Sequence, residues 1–322
     1  MSTALPGSAL SRHHHITLCT GDAQEDYDFH TKVLGLKSVK KTLLYDGQIP
    51  IYHLYYGNDM GEESSLVTSF PVRHAGGPKA RRGSGQITYF SLSVPGSALG
   101  YWRDRLTQHG FDVREDERLG ERCLDFRHPC GIDYTIVGAA DDTRAPRTDG
   151  PVPRDLMLRG THAICVSVRD MDSMEEFMER GWGAQRIAED GRYVRYALGA
   201  GGSGTYIDFV VEPALKQGSW TLSEGAVHHM AFQVATHAEQ DAIKGFLEGM
   251  GFTDTSDVKD RGYFDSIYVR TPSGALFEAT VTHPDGFLCD EPAESLGREV
   301  MVSPQFRASR EELVRQLGVL QD

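Results

Sequence analysis

Ile16-Thr17-Leu18-Cys19, then a polar stretch, then Leu34-Gly35-Leu36, reads as a short apolar strand, a helix and a glycine set between bulky residues. That order returns three times. Ile87-Thr88-Tyr89-Phe90 leads to His109-Gly110-Phe111, Ala163-Ile164-Cys165-Val166 to Arg180-Gly181-Trp182, and His229-Met230-Ala231-Phe232 to Met250-Gly251-Phe252. The glycines stand 75, 71 and 70 residues apart, a period that marks a repeated supersecondary unit. A glycine just past a helix supplies the left-handed cap, and the bulky residue after it starts the next strand. Each unit closes on another strand: Ser65-Leu66-Val67-Thr68, Ile132-Asp133-Tyr134-Thr135-Ile136, Tyr206-Ile207-Asp208-Phe209-Val210 and Leu276-Phe277-Glu278-Ala279-Thr280. A strand, a helix and about three further strands make a βαβββ module, too small to bury both faces of its own sheet. The expected fold is therefore α+β, with four βαβββ modules paired into two curved half-barrels. Modules are expected over 1–80, 81–150, 151–220 and 221–300, with a tail at 301–322.

The composition permits real cores and narrows the partners. Of 322 residues, 39% are hydrophobic and 25% charged, ordinary for a globular protein. There are 33 basic and 46 acidic residues, a net charge of −13. Such a surface repels phosphate backbones and anionic lipid, so neither nucleic acid nor membrane is an expected partner. No apolar run reaches the ~18 residues that cross a bilayer. Met1 to Leu10 has no basic segment followed by an apolar one, so no export signal is read there. The five cysteines are scattered without a C-x-x-C pair, which speaks against a disulfide framework or a zinc ribbon. A reducing cytoplasm is the expected compartment, and a homo-oligomer is compatible with everything above.

Three local signals fit the modular reading. Asp141 to Pro153, rich in Asp, Arg, Gly and Pro, reads as the linker between the second and third modules. Ser309-Arg310-Glu311-Glu312 has the pattern of a capping box and should open a short C-terminal helix. Gly199-Ala200-Gly201-Gly202-Ser203-Gly204 matches a dinucleotide-binding fingerprint by letter. That fingerprint needs a strand before it and a helix after it. Here strand-like runs lie on both sides, so a hairpin loop is expected.

Histidines cluster at equivalent points of two modules. His13-His14-His15 opens the first and His228-His229 opens the fourth, whose closing strand carries Glu278 between Phe277 and Ala279. A single histidine at such a place is more often a hydrogen-bonded core residue than a ligand. Two clusters at matching positions, with a carboxylate in an apolar strand, reverse that balance, because an isolated buried carboxylate costs several kcal/mol. The expected ligands are His15, His229 and Glu278. Two imidazoles and one carboxylate leave coordination positions open, as non-haem Fe(II) oxygenases require, whereas a structural zinc closes four ligands, usually with cysteine. The second and third modules offer Thr88 and Ala163 at the opening positions and Tyr134 and Asp208 on the closing strands, so they are read as scaffold. Ligands from the first and fourth modules can meet only if those modules share a barrel. In the fourth, a turn at Thr271-Pro272-Ser273-Gly274 places Tyr268 across from Glu278 on one face.

Several runs resemble the chlorohydroquinone and hydroquinone ring-cleavage dioxygenases of the vicinal-oxygen-chelate superfamily, which also holds glyoxalase I and the type I extradiol enzymes. They are His14-His15-Ile16-Thr17, Tyr45-Asp46-Gly47 through Ile51-Tyr52-His53-Leu54-Tyr55, His228-His229, Arg261-Gly262-Tyr263-Phe264 through Tyr268-Val269-Arg270-Thr271-Pro272, and Phe277-Glu278-Ala279-Thr280. The resemblance extends from His14 to Gln305. It implies Fe(II), with Mn(II) as the alternative ion, on His15, His229 and Glu278. It further implies catalytic roles for His228, Tyr268 and Arg261, supporting roles for His14 and Thr17, and a small aromatic diol and O2 as reactants. Strict strand alternation sets His14 and His228 on the face away from the ligands, and His13 is expected to be exposed. Extradiol cleavage of catechols, a glyoxalase-like lyase or isomerase, and a metal-free sequestering protein are the alternatives. The loops Leu43 to Ile49 and Gly61 to Ser65 should shape the pocket.

Overall fold

The computed structural model describes residues 9–321, so most of Met1 to Leu10 lies outside it. In the first module β1 is His13–Thr20, β2 Lys37–Leu44, β3 Ile51–Gly57 and β4 Leu66–Pro71. The second contributes β5 (Ile87–Val94), β6 (Arg114–Arg118), β7 (Glu121–Arg127) and β8 (Asp133–Gly138). The third has β9 (Gly160–Val168), β10 (Gln185–Asp190), β11 (Tyr193–Ala197) and β12 (Tyr206–Val211). The fourth has β13 (Ala226–Gln233), β14 (Lys259–Asp260), β15 (Phe264–Arg270) and β16 (Leu276–Thr282). Helices α1 (Ala23–Asp28), α2 (Leu99–Gln108), α3 (Asp172–Glu176) and α4 (His237–Gly249) follow the opening strands, and α5 (Arg310–Leu317) ends the chain.

Two eight-stranded sheets result. The first runs β14-β15-β16-β13-β1-β4-β3-β2 and the second β10-β11-β12-β9-β5-β8-β7-β6. The outer modules thus share one sheet and the inner modules the other, each joined by antiparallel opening strands, β1 with β13 and β5 with β9. Helices cross between them. Phe29, just past α1, packs edge-on to Tyr134 and His128 of the second sheet. Phe177, just past α3, packs with Trp182 of its own module and with Phe252 and Phe277 of the fourth. One continuous apolar core joins both sheets, which fixes their relative placement by burial rather than by a hinge.

Local expectations are met unevenly. Gly35, Gly110 and Gly251 take the left-handed conformation past their helices, with φ of 72°, 85° and 100°. Gly181 does not; it ends a π turn, and Gly183 two residues later carries the positive φ. A Cβ on Gly181 would lie 3.3 Å from Leu247 of α4, so that glycine serves close helix approach instead. The Gly199–Gly204 run is the loop between β11 and β12. Helix α5 forms, yet Ser309 makes no side-chain cap bond. His13 is fully buried rather than exposed. Its Nδ1 meets Thr161 Oγ1 at 3.1 Å and its Nε2 the Tyr206 carbonyl at 3.1 Å, tying the first sheet to the second. Among the described residues no helix is long and apolar enough to cross a membrane.

Candidate metal centre

The β1–β13 register builds the site. Thr17 stands opposite His229 and His15 opposite Ala231, while Ala231 pairs in parallel with Glu278 and Glu278 pairs with Tyr268 of β15. Directly opposed residues share a face, so His15, Thr17, His229, Glu278 and Tyr268 all point into one cup. The donors converge: His15 Nε2 and His229 Nε2 are 3.2 Å apart, and Glu278 Oε2 is 2.8 Å from His229 Nε2 and 3.8 Å from His15 Nε2. Ligands of one first-row divalent ion, bound at about 2.1 Å in adjacent positions, stand about 3 Å apart, so this spacing fits a shared ion.

Electrostatics make the same demand. Glu278 is fully buried; Thr280 Oγ1 donates to its Oε1 at 3.0 Å, while Oε2 makes no hydrogen bond of acceptable geometry despite its close contact with His229. Burial works to raise the Glu278 carboxyl, and the facing His229 and His15 rings outweigh it, holding it well below the usual range. Burial pushes His15 far down, with His14 and His229 adding to the effect and Glu278 opposing it. The result is a neutral His15 imidazole beside a buried carboxylate whose Oε2 lacks a hydrogen bond among the described residues, a donor set that suits a divalent cation.

Two β-bulges overturn strict alternation. Pairing skips His14 between His13 and His15, and skips His228 where Thr17–His229 gives way to Leu18–Val227. A bulge adds an unpaired residue and turns its side chain. Consequently His14 Nδ1 contacts His15 Nδ1 at 2.8 Å, and His228 Nδ1 contacts His229 Nδ1 at 2.6 Å. Burial pushes His228 down to about 3, with His229 contributing. Thr17 Oγ1 lies 2.8 Å from both His229 Nε2 and Thr68 Oγ1. Arg261 Nε donates to Tyr268 Oη at 3.0 Å, with its guanidinium 5.1 Å from that ring's centre.

His53 and Tyr55 lie in a run that carries the resemblance, which gave them no role. Both lie on β3; His53 Nε2 meets Thr68 Oγ1 at 3.2 Å and its Nδ1 meets Tyr55 Oη at 2.8 Å. Phe70 flanks His53 and also faces His228, so His53 sits beside the cup. The i, i+2 spacing of His53 and Tyr55 in β3 was the available signal. Beyond Tyr55, Phe287 and Tyr263 close the edge, where buried Lys40 binds Asp290 at 2.7 Å and Glu291 at 2.5 Å. The same bulge register corrects the positions read as equivalent in the second sheet: Tyr89 and Thr135, rather than Thr88 and Tyr134, match His15 and the closing-strand point.

Paired sheets of βαβββ modules define a vicinal-oxygen-chelate fold, and a cup of two histidines and one glutamate lies in one of them. Comparison with known proteins narrows it. The chain is 45% identical over 308 residues, 95% of each chain, to chlorohydroquinone/hydroquinone 1,2-dioxygenase of Sphingobium indicum. It is 33% identical over 300 residues, 93% of each chain, to MhqO of Bacillus subtilis (strain 168), provisionally named a ring-cleaving dioxygenase. A solved Bacillus subtilis structure, provisionally described as a dioxygenase, superposes with a TM-score of 0.90 at 31% identity, covering 97% of this chain and 98% of that one. Glyoxalase I from Zea mays shares the fold, with a TM-score of 0.60 at 14% identity over 84% of this chain and 92% of that one. No protein-family model matches. The chain belongs to the hydroquinone-type ring-cleaving dioxygenases. It is an enzyme of ring-cleaving dioxygenase type, a class that implies a metal, and His15, His229 and Glu278 form a group able to hold one.

Proposed function

We propose that Fe(II) held by His15, His229 and Glu278 opens a hydroquinone ring, plain or chlorinated, beside one hydroxyl. The observation that carries the reading is the three-donor cup with its unpartnered buried carboxylate oxygen. A fourth protein ligand, as a glyoxalase-like centre would use, belongs at the position related to Glu278 by the module repeat. That position is Thr68, which pairs with Thr17 as Glu278 pairs with Ala231, and a neutral hydroxyl there favours an open site.

A ferrous ion held by His15, His229 and Glu278 would supply open coordination for substrate and dioxygen and the electron transfer between them. The chain's own groups do the rest. A hydroquinone offers one oxygen to the metal, so its far side is held by shape and polar contacts. His53, Tyr55 and Phe70 line one wall. His228, whose Nδ1 accepts from the Nδ1–H of a metal-bound His229, carries its own proton on Nε2 and donates it to negative charge that develops on the substrate. Tyr268 Oη, fixed by Arg261, holds or returns a proton beside Glu278, and the guanidinium steadies negative charge that develops on the substrate.

Anaerobic Fe(II) loading followed by oxygen uptake with matched hydroquinone and catechol pairs tests this. Higher kcat/KM for the para-diol is expected, and a clear catechol preference overturns the substrate assignment while leaving the centre standing. Tyr268→Phe should lower kcat by about 10²–10⁴-fold, the usual range for a general acid or base, with iron content unchanged. Equal loss of iron would make Tyr268 part of the metal's support instead.

A further inference from the structure

We infer that Glu63 is a positioning residue for the metal, acting through Thr282 and His14 to fix the tautomer and orientation of His15. This rests on the reading of His15 as a ligand through Nε2. A neutral imidazole carries one N–H, so a His15 that binds metal through Nε2 carries its proton on Nδ1. The partner there is His14 Nδ1 at 2.8 Å, which must accept. His14 is 1% exposed; neutral, it bears its proton on Nε2, 2.9 Å from Thr282 Oγ1. Thr282 then donates to Glu63 Oε1 at 2.8 Å. Each assignment forces the next, and the string ends on a carboxylate, which can only accept. A carboxylate at the far end orients a ligating histidine and raises its basicity.

The backbone around Glu63 is held with unusual firmness. Ser64 takes φ of 65°, a left-handed conformation that non-glycine residues rarely adopt. Its Oγ donates to the His13 carbonyl at 2.6 Å and its N–H to the His14 carbonyl at 2.9 Å, while its own carbonyl accepts from Thr161 N at 2.7 Å. The strained residue thus locks Glu63 onto the strand that carries both histidines. From the other ligand the string is shorter: His229 Nδ1 reaches His228, and among the described residues His228 makes no further side-chain hydrogen bond. The two ligands are therefore supported differently, His15 by a closed string to an anion and His229 by an imidazole left available to substrate.

Histidine-¹⁵N NMR of the metal-free full-length protein, followed by Co(II) titration, tests the inference on wild type, Glu63→Gln and Thr282→Val. Expected in wild type are a His15 Nδ1–H tautomer, a His14 Nε2–H tautomer and a Co(II)-induced shift at His15 Nε2. Both variants should bind Co(II) about 10–100-fold more weakly, with displaced Co(II) absorption bands and a mixed His14 tautomer. Wild-type Co(II) affinity and spectrum in both variants, with His15 Nε2 still responding to metal, would overturn the role of Glu63 and spare the ligand assignment. No response of His15 Nε2 in wild type would overturn the ligand reading and this inference with it.

Discussion

Both sheets follow one plan, and their cups differ residue for residue. Where the first sets His15, His229 and Glu278, the second sets Tyr89, Ala163 and Asp208; where the first sets Tyr268 beside its carboxylate, the second sets Arg195. Even the bulges recur, with Thr88 and His162 in the places of His14 and His228. Arg195 grips Asp208 through Nε at 2.7 Å and Nη2 at 2.9 Å and reaches Glu121 at 2.8 Å. Burial pushes the Asp208 carboxyl up, and Arg195 opposes it. Tyr89 lies beneath the Arg118 guanidinium, itself bound to Asp125. A buried carboxylate at this point of the module needs a cation. The second cup meets that need from its own chain, through the Arg195–Asp208 ion pair, whereas the first has no Lys or Arg paired to Glu278 among the described residues.

The sharpest break is Glu278→Gln. The amide keeps the size and loses the charge, so metal affinity should fall beyond the roughly 100-fold that removing an outer partner costs, and turnover with it, while the protein folds. Metal analysis and oxygen uptake check this, and wild-type iron content would dissolve the contrast. Next comes Asp208→Asn, which should leave iron content and turnover intact and destabilise by about 3–5 kcal/mol, the cost of stranding one member of a buried ion pair. Urea unfolding reads it; loss of iron with unchanged stability would give the second cup a function. The smallest effect concerns Asp125. Burial works against its ionisation, and hydrogen bonds from Arg118 and Arg114 outweigh it, holding it down to about 2. A carboxyl lowered on folding contributes stability above its unfolded pKa of about 3.9 and loses it as pH falls through the folded value. Allowing for its partial exposure, Asp125→Asn should cost about 1 kcal/mol at pH 6, and the gap to wild type should close between pH 4 and 2. A constant gap would assign the contribution to packing.

What the sequence disclosed follows from which physics is local. Tyr268 opposite Glu278 was readable because a four-residue turn fixes hairpin register, and the structure pairs them. The repeat, the linker and the non-nucleotide glycine loop were readable because turn chemistry and periodicity are written in neighbouring residues. His14 and His228 were assigned to the wrong face because a bulge is a property of the strand pair, and each residue's partner lies more than 200 positions away. His13 was misread for a similar reason: Thr161 and Tyr206, which satisfy its ring, belong to the other sheet. Gly181 shows the converse error, since a glycine at a helix end can answer to the helix packed against it rather than to its own cap.

The outer modules share a sheet while the inner ones fill the middle of the chain, and this order carries a consequence for biosynthesis. His15 leaves the ribosome early, but its partners at positions 229 and 278 follow only after the whole second sheet. Domains tend to fold as they emerge, N-terminal first, so the inner sheet can form while β1 waits for β13. A chain interrupted before residue 229 holds one imidazole of the cup, and one interrupted before residue 278 lacks its carboxylate, so neither carries the full donor set. The complete donor set is thereby a mark of a finished chain.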